Sequence, residues 1–134
     1  MEEVQKMTWI YSQSDGRLYD PKGMHVSTGY AGGNCGKNPE GINNHSMQDV
    51  KSIGPLPCGI YRMGEVLMQS HLGPFAIPLL PDEKNEMFGR AGFFCHGDTN
   101  PGGNASKGCI IMPRLVRDAL YASDDKTITV VEKV

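Results

Sequence analysis

The chain contains 134 residues with a formal net charge of −2, and 39% of the residues are hydrophobic. This length is typical of one domain that buries its own core without metal or disulfide cross-links. The basic residues form no stripe or cluster, which argues against a nucleic-acid-binding protein and a polybasic membrane anchor. The longest largely apolar run, residues 75–81, is far shorter than the roughly 18 residues that a membrane span requires.

Residues 1–7 are acidic and polar, without the apolar segment of a secretory signal peptide. We therefore predict an N-terminal tail at residues 1–7 and a single domain at residues 8–134. Without such a signal, the protein is expected to be made in the cytoplasm, with any export carried out by separate machinery.

The 17 glycines and 9 prolines favour a mainly β fold with short elements and many turns. In the first half, β-branched and aromatic residues between turn signals predict strands. The expected strands lie at residues 8–12, 17–19, 24–28 and 59–63. The Gly- and Asn-rich segment 29–44 predicts a long loop that borders the functional site, since long ordered loops in small domains are often functional. A short helix or an irregular stretch is expected at residues 46–53.

The second half predicts strands at residues 66–69, 75–80, 93–96, 108–112 and 126–131. Pro78 has no N–H to give to a ladder, so the strand at 75–80 is expected at a sheet edge. Apolar residues at helical spacing predict one amphipathic helix over Pro113–Ala122, with Pro113 at its first position.

The four cysteines are Cys35, Cys58, Cys95 and Cys109, and no two of them form a C-x-x-C pair. This spacing excludes zinc-ribbon and thioredoxin-like motifs, and we expect most of the cysteines to be free thiols. Cys95 precedes His96 on a predicted strand, so its side chain should point to the opposite face and be buried.

The most informative pair is His96, at the end of one predicted strand, and Cys109, near the start of the next. A thiol is a strong nucleophile only as a thiolate, so a catalytic cysteine needs a basic partner. Gly108 leaves room for a substrate carbonyl and leaves main-chain N–H groups for an oxyanion hole. From spacing alone, a core thiol at Cys109 and a backbone-bonded histidine at His96 is an equally good interpretation.

Three linked segments, from about Gly29 to Pro113, resemble a known family. They are Gly29-Tyr30-Ala31-Gly32, the stretch from Ile53 to Tyr61, and the stretch from Phe88 to Pro113 that contains Ser106-Lys107-Gly108-Cys109. The last segment is similar to the L,D-transpeptidase signature, a His followed by Ser/Thr-His-Gly-Cys. The whole set resembles the L,D-transpeptidase effectors of type VI secretion. One position departs from the wider family, since Lys107 stands where a second histidine is usual.

This resemblance implies a mainly β, L,D-transpeptidase-like sandwich or barrel with short helices. It also implies an antibacterial enzyme that attacks peptidoglycan tetrapeptide stems after the diamino acid. Such an enzyme forms a thioester on cysteine and passes the acyl group to water or an amine, without a metal or other cofactor. The implied partners are the peptide stems, a secretion machine and an immunity protein. The expected site of action is the periplasm of a rival cell, and the expected state is a monomer.

The resemblance assigns Cys109 as nucleophile and His96 as base, with Gly108 beside them. Asp98, Ser106 or a main-chain carbonyl could orient His96. Ser106 could equally donate to substrate or cap its own loop. Arg90 is expected to bind a substrate carboxylate through its planar fork, with a surface or ion-pair role as the alternative. Tyr30 and Gly97 are further implied substrate-binding residues.

His25, His45 and His71 are scattered without ligand spacing, so we predict no metal site. Two other functions fit the same pattern, a non-catalytic cell-wall binding module and a cysteine peptidase with a protein substrate.

Overall fold

The computed structural model describes residues 8–134, so the predicted tail at residues 1–7 lies outside the described part. Within it, short strands and one α-helix alternate with turns. The strands are β1 (Trp9–Ser12), β2 (Arg17–Tyr19), β3 (His25–Thr28), β4 (Tyr30–Ala31), β5 (Gly59–Met63), β6 (Ile77–Pro81), β7 (Phe94–His96), β8 (Ile110–Ile111) and β9 (Thr127–Val131). The helix α1 spans Arg114–Ala122, and three 3-10 turns lie at Asn34–Gly36, Pro39–Gly41 and His45–Met47.

All nine strands belong to one mixed sheet in the order β3-β2-β1-β9-β5-β6-β7-β8-β4. The pairs β1–β9 and β7–β8 are parallel, and the other neighbours are antiparallel. The two outermost strands, β3 and β4, are consecutive in the chain and are separated only by Gly29. This connection holds the two edges near each other, so the sheet is nearly closed and barrel-like. The mainly β fold with a single helix is thereby confirmed.

The predicted edge position of the Pro78 strand is wrong, because β6 lies between β5 and β7. The β5–β6 pairing ends at Met63 and Leu79, one residue before Pro78 is reached. Pro78 contributes its carbonyl to the Gly64 N–H at 2.8 Å. Pro78 thus faces Gly64 at the very end of this ladder, where its missing N–H removes one terminal hydrogen bond and leaves the pairs within the ladder intact.

Four other elements differ from the sequence prediction. Residues 66–69 form only one isolated bridge, between Leu67 and Ala76, because only Val66 packs against the core while Leu67 and Met68 are exposed. The strand at 108–112 shortens to β8, since the positive φ of Gly108 interrupts the extended backbone. The loop at 29–44 contains β4 and two 3-10 turns, whereas the stretch 46–53 is irregular after the turn at His45–Met47, which is one of its two predicted alternatives. Pro113 is the extended residue before α1, not its first helical residue.

The core lies inside the barrel-like sheet and beneath α1. Its largest fully buried side chains include Tyr11, Leu56, Tyr61 and Ile128, and Leu120 joins it from the helix. Leu56 also ties the core to the segment before β8, because its N–H donates to the Gly108 carbonyl at 2.9 Å. None of the helices in the described residues is long and apolar enough to cross a membrane.

We predict that Leu56→Ala lowers the free energy of unfolding by about 2–5 kcal/mol, as expected for a fully buried leucine. Ile60→Ala is the matched control, because Ile60 is 47% exposed on β5. It should change the free energy by about 0.5 kcal/mol or less. Urea denaturation followed by circular dichroism measures both, and equal losses in the two variants would contradict this description of the core.

Candidate active site

Parallel pairing of β7 and β8 brings His96 and Cys109 to the same part of the sheet. The register pairs Cys95 with Ile110 and His96 with Ile111. Cys109, one residue before β8, therefore lies beside Phe94 and diagonally across from His96. Residues that alternate along paired strands share a face, so the thiol and the imidazole are on the same side. Cys95 is on the opposite side and fully buried, as predicted.

The thiol of Cys109 is half-buried and receives one hydrogen bond, from the Phe94 N–H to Sγ at 3.3 Å. Burial raises the pKa of Cys109, while the Phe94 N–H and the charge of Arg90 lower it in part. Because an ordinary thiol already titrates above neutrality, Cys109 is a neutral thiol at pH 7 before substrate binds.

His96 is 3% exposed, and its Nδ1 lies 2.9 Å from the carbonyl oxygen of Gly97. This contact assigns the proton to Nδ1 and leaves Nε2 as the free, basic nitrogen. Burial lowers the pKa of His96, although the Gly97 carbonyl raises it in part. His96 is therefore neutral at pH 7, as a general base must be. The group that orients it is a main-chain carbonyl, one of the three predicted alternatives.

Ser106 organises the loop in front of Cys109. Its hydroxyl donates to the Cys109 carbonyl at 2.6 Å and accepts from the N–H groups of Gly32 at 2.8 Å and Gly108 at 3.0 Å. The side chain is fully buried, so these three bonds use the hydroxyl completely. Of the two predicted roles for Ser106, the contacts favour the loop cap.

Gly108 has a φ of 133°, which a residue with a side chain adopts only with strain. A Cβ at this position would lie 2.7 Å from Nη2 of Arg90 and 2.8 Å from the Phe93 ring. The sequence predicted main-chain N–H groups here for an oxyanion hole. The Gly108 N–H donates to Ser106 instead, so it is not free to bind an oxyanion. The N–H of Cys109 itself remains beside Sγ, where it helps to lower the pKa of the thiol.

Arg90 is 6% exposed, and its guanidinium donates to four main-chain carbonyls. The acceptors belong to Gln48, Gly54, Pro55 and Lys107, at 2.5–3.2 Å. A guanidinium has five N–H donors in a fixed fork, and these bonds use both terminal nitrogens. The contacts indicate that Arg90 holds the segments around Cys109 together, and its substrate role stays a prediction.

Tyr30, Gly97 and Asp98 line a different cavity, of about 500 Å³, beside the start of α1. The Tyr30 hydroxyl donates to Asp98 Oδ1 at 2.5 Å, and that carboxylate also accepts the Thr99 N–H. Asp98 is thus committed to its own loop, and its hydrogen bonds do not include His96. Cys109 does not line this cavity, so the structure separates these three predicted residues from the nucleophile.

Two cavities meet at Cys109. The Lys51 cavity, of about 370 Å³, includes Lys51, Arg90, Phe93, Lys107 and Cys109 in its lining. The His71 cavity, of about 360 Å³, includes Cys35, His71, His96, Lys107 and Cys109. Cys35 belongs to the predicted 29–44 loop, which thus reaches the site. The sequence did not predict Lys51 or His71 as site residues, because they come from turns distant in the chain that contain no recognisable motif.

All four cysteines are free. The described residues contain no group of three or more His, Cys, Asp or Glu side chains placed to hold a metal ion.

We predict that Arg90→Ala lowers the free energy of unfolding by roughly 3 kcal/mol or more, since each buried carbonyl left unpaired costs about 1–3 kcal/mol. Arg62→Ala, at an exposed position on β5, is the control and should change it by about 0.5 kcal/mol or less. Denaturant unfolding measures both. An unchanged stability of Arg90→Ala, together with reduced kcat/KM, would return Arg90 to substrate binding.

Comparison with known proteins gives two matches to this chain. No curated protein matches it at a significant level. Among solved structures, it is similar to a mutant of the helical cell shape determining protein Pgp2 from Campylobacter jejuni, at 18% identity and a TM-score of 0.55. The alignment covers 98% of this chain and 49% of that one, so the chain spans about half the length of this relative, and the likeness shows the fold. Residues 29–132, which include every candidate site residue, match the Tlde1 domain, and the chain therefore belongs to this family of type VI secretion L,D-transpeptidase effectors.

Proposed function

We propose that this protein is a cysteine-dependent L,D-carboxypeptidase or L,D-transpeptidase that acts on peptidoglycan tetrapeptide stems. The observation that carries the proposal is the placement of Cys109 and His96 in one cavity, with His96 Nδ1 bonded to a main-chain carbonyl. Membership of the Tlde1 domain family supports peptidoglycan as the target.

In the proposed reaction, His96 Nε2 takes the proton from the Cys109 thiol as Sγ attacks the carbonyl carbon of the diamino acid. The new C–S bond gives a tetrahedral intermediate, whose oxyanion accepts a hydrogen bond from the N–H of Cys109. The intermediate collapses with cleavage of the C–N bond, and His96 returns the proton to the leaving D-alanine amine. Water or a second amine then attacks the thioester, again with His96 as base, and regenerates the thiol.

The neutral thiol and the neutral imidazole suit this mechanism, because the proton moves only when a substrate carbonyl is in place. His96 and Cys109 are not hydrogen-bonded to each other in the described contacts, where Sγ has the Phe94 N–H as its partner. Catalytic hydrogen bonds are often loose without substrate and tighten in the complex. We propose that the stem displaces the thiol toward His96 as it fills the His71 cavity.

The effector role has consequences for location and partners. We propose that the protein acts as a monomer in the periplasm of a target bacterium, is carried there by a secretion machine, and is neutralised in the producing cell by an immunity protein. Family membership is the support for this part of the proposal.

Cys109→Ala should reduce turnover of a purified tetrapeptide muropeptide by roughly a thousandfold or more, because the variant has no nucleophile. Mass spectrometry of the products measures the loss of D-alanine or its exchange. Cys58→Ala is the matched control, since Cys58 is half-buried outside both cavities at Cys109. Turnover by folded Cys109→Ala at a rate near that of the wild type would defeat the assignment.

The pH profile of kcat/KM should be flat near neutrality and fall only below the ordinary histidine value of about 6.5. Burial lowers the pKa of His96, so the free base persists to a lower pH before protonation removes it. His96→Ala should lose both the activity and this acid limb. An acid limb centred above pH 7 would contradict the buried, neutral histidine.

A further inference from the structure

The two cavities at Cys109 are lined by basic residues, although the chain as a whole is slightly acidic. Apart from thiols, the ionisable residues that line them are Lys51, Arg90 and Lys107 on one side, and His71, His96 and Lys107 on the other. No Asp or Glu lines either cavity, although the formal net charge of the chain is −2. Asp49 is the carboxylate whose charge raises the pKa of Arg90, and it does not line either cavity. The surroundings of the nucleophile are therefore suited to an anion.

Only some of these basic groups are available to a ligand. The Arg90 guanidinium is buried and donates to four main-chain carbonyls. Lys51 and Lys107 are exposed. The salt bridges among residues 8–134 are His45–Glu132 and Arg114–Asp118, so neither lysine is paired with a carboxylate. Two ammonium groups on flexible stems thus remain beside Cys109, one of them shared by both cavities.

We infer that Lys107 and Lys51 bind carboxylates of the peptide substrate on the two sides of the scissile bond. This inference rests on the proposed function and deepens it. In this inference, two lysines bind the substrate carboxylates in place of Arg90. The substrate must therefore carry an anionic group on each side of the bond that is cut.

The position of His96 decides which half of the substrate occupies which cavity. His96 must reach the leaving amine to return the proton, and it lines only the His71 cavity. The leaving residue therefore occupies that cavity, with its terminal carboxylate toward Lys107 and His71. The acyl half occupies the Lys51 cavity, with its carboxylate toward Lys51. Cys109 lies where the two cavities meet, as the scissile carbonyl must.

Binding to the inactive Cys109→Ala protein tests the inference independently of turnover. The ligands are a tetrapeptide stem with a free terminal carboxylate and the same stem with a terminal carboxamide. Isothermal titration calorimetry should give a Kd roughly three- to tenfold lower for the carboxylate, the range for an exposed charge pair reinforced by hydrogen bonds. Adding Lys107→Gln should remove this preference, and Lys107→Arg should keep it.

A second ligand pair carries a carboxylate or a carboxamide on the acyl half. Lys51→Gln should remove the preference between these two ligands while leaving the preference for the terminal carboxylate. Lys22→Gln makes the same charge change in the turn between β2 and β3, away from both cavities, and should leave both preferences intact.

Persistence of both preferences in the Lys107→Gln and Lys51→Gln variants would overturn the inference, and so would their absence in the parent protein. The proposed function fails by a different result, namely no turnover of any stem by the wild-type enzyme. A wild type that turns over stems but shows no carboxylate preference would therefore refute only the lysine assignment.

Discussion

The position of Cys109 depends on two buried polar side chains that bind main-chain groups. The Arg90 guanidinium joins the carbonyls at residues 48, 54 and 55 to that of Lys107, two residues before Cys109. The Ser106 hydroxyl joins Gly32, Gly108 and the Cys109 carbonyl. These segments contain little regular structure, so their main-chain groups are paired with side chains and not with a neighbouring strand. Gly108 belongs to the same arrangement, since any Cβ there would meet Arg90.

Burial determines the protonation states of Cys109 and His96. It raises the pKa of Cys109 and lowers that of His96, so both shifts favour the neutral forms. An enzyme with a permanent thiolate is open to alkylation and oxidation whenever its site is open. In the proposed mechanism, the Cys109 thiol is activated only by proton transfer to His96, so it is protected until a substrate carbonyl arrives. The Gly97 carbonyl makes this possible, because it holds Nδ1 protonated and leaves Nε2 basic.

The proposed substrate-binding lysines differ from the arginine that stabilises the scaffold. Arg90 donates to four main-chain carbonyls, whereas the exposed Lys107 lines both cavities and the exposed Lys51 lines one of them. An arginine fork suits fixed geometry, and an ammonium on a flexible stem suits a ligand that enters and leaves. In the proposed binding mode, the main chain around Cys109 therefore stays fixed while the two lysine side chains adapt to the substrate. Tyr30 and Asp98 form a separate hydrogen-bonded pair beside another cavity, and they stabilise the loop between His96 and Cys109.

The sequence alone determined the β-rich class, the helix near residues 113–122, the strand that ends in His96 and the family, because these depend on local patterns and contiguous motifs. Only the tertiary structure decided the parallel register that places His96 diagonally from Cys109, since pairing between short strands depends on contacts distant in the chain. It also decided that Pro78 lies in the sheet interior, because the cost of a proline depends on its position in the ladder, and Pro78 falls at the ladder's end. The structure also decided between the two predicted roles of Ser106, and it showed the main-chain bonds of Arg90, which the sequence did not predict. The residue type determines which hydrogen bonds a side chain can make, but only the fold determines which carbonyls and N–H groups lie within its reach.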